Sequence, residues 1–463
     1  MMTPINRNFL SGRTLHARSL VVAAVLLTDL SALAGALTPV SLYDQDPQHL
    51  WNRLSSALIT RAPEGKTVPP DLLDPPHIDL LFEGEANKQT ISLLNEFLNG
   101  EPRPGTMTPL QRAVMQRDLL AVFHRLSGLQ AQNGTQWTGP ERELATALAS
   151  AIRHVALTSE EIHKLPDNYA AATVDPEAVT VDDATNPAPF IPKDLLADDG
   201  PWIALDSQGS GKALVAQFHF KMFQGRTSFE VRMRHPAGRG EGEAYLKSLA
   251  DMKQPWVYEK SERAIPNVRD SAPWPNPDTP QFPVGTMWAL VRRAILADEK
   301  GQLVVSPLVE SIQIRVYRKA SVTDELNSPE FQKLVKELEE TKRGYELDDL
   351  LAARCMTSFE WEMQRALLLG KGGFHLTRPE DLKFSGFVPS EPRPVASFCM
   401  QCHSAPGIHS IQSRAGLFSD PLARPPEFKP SNRESLDRIT TYEARTQPGW
   451  LLLQWLWSDP PSR

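Results

Sequence analysis

A chain of 463 residues, 41% hydrophobic and 23% charged, with a formal net charge of −7, is too long for one small core and ordinary in composition for a globular protein. Acidic and basic residues are mixed along its whole length, which excludes the basic stripe of a nucleic-acid binder. Its 40 prolines predict extended connections between compact parts.

The N-terminus has the pattern of a secretion signal. Arg7, Arg13 and Arg18 supply positive charge, 20–27 is an apolar run too short for a membrane span, and Ala32-Leu33-Ala34 offers small residues for cleavage. Asp29 after the run argues against a permanent transmembrane helix. No later stretch is long and apolar enough to span a bilayer. The expectation is an exported protein, periplasmic or otherwise outside the cytoplasm.

Helical spacing follows. Leu50, Leu54 and Leu58 mark a first helix, and 90–98 a second. Thr108-Pro109 is a cap and N1 proline for a third, with Leu110, Val114, Leu119, Val122, Phe123 and Leu126 as its stripe. A fourth covers 141–157, and Thr158 with Glu161 fits a capping box for a short fifth. The proline-rich stretch 166–205 reads as a connection. Alternation then predicts strands over 213–223 and 228–235 around the turn Gln224-Gly225-Arg226, and over 286–296 and 308–318 around Asp298-Glu299-Lys300-Gly301. In the last of these, Ile312, Ile314 and Val316 share one side, and Gln313, Arg315 and Tyr317 the other. An antiparallel sheet with one solvated face is expected. A proline-rich irregular stretch fills 254–283, a charged helix begins at Ser328-Pro329, and 348–369 fits helix or strand. Trp450, Trp455 and Trp457 among leucines are expected to dock into the core rather than rest on a membrane.

Three cysteines occur, and two of them lie in Cys399-Met400-Gln401-Cys402-His403. This is the C-x-x-C-H signature of c-type haem attachment. Two thiols at this spacing add to the two vinyl groups on one edge of the porphyrin. The next histidine then comes beneath the ring, where its Nε2 ligates iron. No second C-x-x-C supplies a structural zinc site, and the prolines before the motif do not suit a thioredoxin-like dithiol. The remaining Cys355 reads as a buried free thiol. Gly209-Ser210-Gly211-Lys212 lacks the P-loop spacing and reads as a turn.

On these residues the chain resembles c-type cytochromes, with Cys399, Cys402 and His403 as the matching positions. A β region followed by a C-terminal C-x-x-C-H is also similar in order to cytochrome P460 and β-type cytochrome c′. The resemblance implies covalent haem c, iron held by His403, and a periplasmic redox partner protein. No methionine follows Met400, so the second axial ligand is not a downstream methionine. His409, His375, Met356, Met363, Met222, Met233, His219 and His235 are its candidates, each with a plainer reading as core or loop. Arg414 and Arg424 either pair with haem propionates or are solvated.

The expected class is α+β. A signal peptide occupies 1–36, a helical domain 37–165, a proline-rich linker 166–205, an antiparallel β domain 206–325 and a loop-rich to helical haem-binding segment 326–463. One-electron transfer leads the functional expectations. A five-coordinate haem sensor or small-molecule oxidoreductase of the peroxide or NO type is the alternative, and an N-terminal binding module the third. Whether the chain is an enzyme stays open on the sequence.

Overall fold

A computed structural model describes residues 41–59, 81–100, 106–133, 137–174, 179–181, 191–206, 216–252, 256–257, 274–276, 278–317, 328–329, 332–333, 336, 356–363, 365–370, 373–377, 383–384, 393–394, 408 and 429–458. Pro39–Arg463 forms one compact unit.

The fold is α+β. Helices α1 (Leu50–Ile59), α2 (Gly84–Asn99), α3 (Pro109–Asn133) and α4 (Gly139–His154) pack on one another, followed by the short α5 (Ser159–His163) and α6 (Asn168–Val174). Both expected caps form; at the start of α3, Thr108 Oγ1 accepts the Gln111 amide at 3.2 Å. Thr158 Oγ1 accepts from the Glu161 amide at 3.1 Å, while Glu161 Oε2 accepts from the Thr158 amide at 2.8 Å. The same reciprocal box joins Thr138 and Glu141 at the start of α4.

One sheet of eight strands carries the rest: β1 (Val179–Val181), β2 (Trp202–Asp206), β3 (Glu230–Arg234), β4 (Met287–Ala297), β5 (Leu303–Tyr317), β6 (Met356–Met363), β7 (Phe374–Thr377) and β8 (Lys429–Ser431). Its order is β1-β7-β6-β5-β4-β3-β2-β8. Every pairing is antiparallel except β1 with β7. The β4–β5 hairpin turns through Asp298 and Gly301, the latter at φ 76°, a conformation that suits glycine.

From Ala113 to Gly128 every residue of α3 except Arg125 is buried. A helix enclosed this far must satisfy its polar groups internally. Gln116 does so by donating to Ile152 O at 3.1 Å and Ala297 O at 2.9 Å while accepting the Ala297 amide at 3.0 Å, which joins α3, α4 and the end of β4. Arg117 donates through Nε to Glu310 of β5 at 2.7 Å and through Nη1 to Asp118 at 2.9 Å. Arg365 grips the same Asp118 with two bonds of 3.0 and 2.7 Å. All four groups are buried.

Two further helices close the structure, α9 (Arg433–Arg445) and α10 (Pro448–Ser458). Trp450 is fully buried and donates its indole N–H to Gly225 O at 2.8 Å, and Trp457 donates to Ala149 O at 2.8 Å. These two dock as expected, whereas Trp455 stays about half exposed. Among the described residues no helix is long and apolar enough to cross a membrane.

Three expectations are corrected. The strand expected over 213–223 is, in its described part, the helix α7 (Gln217–Met222). The strand β3 already pairs with β2 and β4 on its two sides, leaving no edge for another strand. The helix ends where Gln224 and Gly225 take positive φ of 52° and 69°, with the Gly225 amide donating back to Phe220 O at 3.0 Å. The stretch 166–205, expected as a linker, supplies α6, β1 and β2, and its Tyr169, Ile191, Leu195 and Trp202 fill a core beneath the sheet. Its prolines punctuate the chain, but its apolar residues are built into the fold. The sheet was also expected to have one solvated face, yet β4 and β5 are buried on both. Phe229, Ile295, Leu303 and Val305 share one cluster with residues of α1 to α4 and α10, so the helical and β regions have a common core.

Replacing Asp118 by Asn leaves Arg117 and Arg365 short of their shared carboxylate. Loss of one partner from a buried pair costs about 3–5 kcal/mol. Urea denaturation at neutral pH is expected to show a lower midpoint with an unchanged slope.

Candidate functional site

In a sheet alternate residues face the same side, so the register fixes which residues share a face. On one face Trp202, Ala289, Val291, Ile312 and Ile314 are apolar and covered by α6 and 191–196. The opposite face is divided. Toward β2 it is apolar: Ile203 pairs with Met233, and Met233 with Trp288. Toward β6 it turns polar. Trp288 is followed across the strands by Arg315 and Ser358, Leu290 by Gln313, Glu360 and Thr377, and Arg292 by Ser311, Glu362 and His375.

Where the two halves meet, α7 brings His219 and Phe223 against Phe229. The His219 and Phe229 rings lie 5.6 Å apart, and the Phe223 and Phe229 rings 5.3 Å. The Arg292 guanidinium sits 4.1 Å from the Phe223 ring centre, with Arg226 at 4.9 Å from it. Burial, with the charges of Arg315 and Arg292, pushes the His219 pKa down to about 4, so the ring is neutral. Burial opposes ionisation of Glu310, but the charges of Arg117, Arg292 and Arg226 and the hydrogen bond from Arg117 outweigh it and hold the carboxyl below its usual range.

The apolar half receives a residue from the C-terminal region. Ile408 is fully buried in a cluster with Met233, Trp288, Phe282 and Tyr317. Its amide donates to Gln281 Oε1 at 3.1 Å. An aromatic layer surrounds it: Phe282 lies 4.8 Å from Tyr317, 5.2 Å from Trp288 and 6.0 Å from Tyr245, centre to centre.

Cys399, Cys402 and His403 lie outside the described residues, as do Met400, His409, Cys355, Arg414, Arg424, and 207–215 with the glycine-rich turn. Met356 is on β6 and His375 on β7, where His375 stands opposite Glu362. Met222 is on α7. Met233 is fully buried against α8 (Arg239–Ala250), its Cε 3.3 Å from the position a Cβ on Gly242 would take. Met363 is buried in the core of the other face. His235 accepts the Ala237 amide at Nδ1 at 3.2 Å. The structure thus commits Met233 and Met363 to packing and His219 to an arginine-flanked corner. Among the described residues no group of three or more His, Cys, Asp or Glu is placed to hold a metal ion.

Sequence reasoning did not single out the Arg292–Glu310–Arg117 chain or Arg315. The signal for Arg315 was present in the alternation of Gln313, Arg315 and Tyr317 against Ile312, Ile314 and Val316. It marked a polar face, which reads as solvated unless further elements are known to cover it. For Arg117 and Asp118 the signal was an adjacent ion pair beside the apolar stripe of α3.

No protein-family model, no curated protein and no solved structure matches this chain.

His124 on α3 adds to the effect of His219. It is buried edge-on to Trp450 at 4.7 Å, and burial with the charge of Arg226 pushes its pKa down to about 3, the Gln224 backbone pulling the other way. Both rings are neutral in the folded state and take up protons near pH 6.5 once unfolded. Their contribution is full above that pH and declines as pH falls from about 6.5 toward 4 and 3. Denaturation midpoints measured from pH 7 to 4.5 are expected to fall, and to fall less in His124→Gln.

Proposed function

We propose that the protein is an exported monohaem c-type cytochrome in which Cys399 and Cys402 tether haem and His403 holds its iron. The observation that carries this reading is the Cys399-Met400-Gln401-Cys402-His403 motif. The donor set fits the group chemically: two thiols suit covalent attachment to two vinyl groups, and an imidazole suits iron. Two thiols alone, with no second ligand pair of the same kind, suit a zinc site poorly. When bound, haem c supplies one-electron oxidation and reduction at iron, and axial ligation, burial and hydrogen bonding set its potential.

The seat of Ile408 supports reading the divided sheet face as the wall of the haem site. Ile408 is five positions after His403, and an extended chain of five steps reaches at most ~18 Å. Tryptophan, tyrosine and phenylalanine around Ile408 suit an apolar macrocycle. Ile408 itself is held by its burial and by the N–H it donates to Gln281. A periplasmic redox protein is the partner this chemistry calls for. No span among the described helices ties the chain to a membrane.

The alternative is an open iron site: of the candidate axial ligands, Met233 and Met363 are buried in core packing. An open site serves binding or reduction of a small molecule such as NO or peroxide.

Expression in a host competent for haem attachment is expected to give one covalent haem per chain, with a pyridine haemochrome of the two-thioether type. Cys399→Ala with Cys402→Ala is expected to lose it on acid–acetone extraction. A wild-type chain without covalent haem sinks the reading. Carbon monoxide then decides the ligation: a prompt shift of the reduced Soret band is expected for an open site, and its absence means a second protein ligand and electron transfer alone.

A further inference from the structure

We draw no further inference here: the strongest candidate, the exposed apolar patch that Leu451 and Trp455 form one turn apart on α10, carries nothing because nothing in the structure shows what covers it.

Discussion

Burial of α3 on nearly all sides is the constraint on which the remaining structure depends. A helix enclosed in this way ordinarily presents apolar side chains all round. Here its middle carries Gln116, Arg117, Asp118 and His124, and each must be answered from a different part of the chain or tolerated at a cost. Asp118 is answered by Arg365, Arg117 by Glu310 of β5, and Gln116 by α4 and the end of β4. Such pairs are weak as sources of net stability, because desolvation offsets most of their attraction. Their effect is on register: a one-residue slip of β5 moves Glu310 away from Arg117 and leaves a buried charge alone.

The same constraint shapes the divided sheet face. Where α3 and α7 cover β4 and β5, the face carries arginines over phenylalanine rings and a carboxylate between arginines. Where α8 and the residue Ile408 cover it, aromatic and aliphatic groups pack without charges. In the polar half Glu310 lies between Arg117 and Arg292, so its charge is held by neighbours rather than by water.

Much of the helical part was legible because local rules act within a turn or two of chain. Thr158 and Glu161 satisfy one another wherever they stand in this spacing, and Leu50, Leu54 and Leu58 face one way in any helix. The strand pair 287–297 and 303–317 was legible for a similar reason, its alternation and turn residues being contiguous. The error over 217–222 arose because Ala216, Phe218, Phe220 and Met222 alternate, while Ala216 and Phe220 are also one helical turn apart. Only the filled edges of β3 decide between the two, and they are set by residues far away in sequence. The proline-rich 166–205 misled in another manner: proline content reports how a chain bends, not whether Trp202 and Leu195 are buried. For the candidate site, the spacing of the cysteine motif carries an expectation of haem chemistry, and its residues lie outside the described ones. Arg315 was readable as polar but not as half-buried, because its cover comes from other segments.

The hydrogen bond from Trp450 to Gly225 spans 225 residues, and that from Arg153 to Trp457 spans 304. A core whose first helices are completed by α10 has a high contact order, and loops of that length must close before the contacts reward them. During synthesis α3 and α4 therefore emerge long before the helix that finishes their core. Until α10 docks, Trp450 and Trp457 are missing from that core, so the order of synthesis sets a delay between forming the first helices and completing their packing.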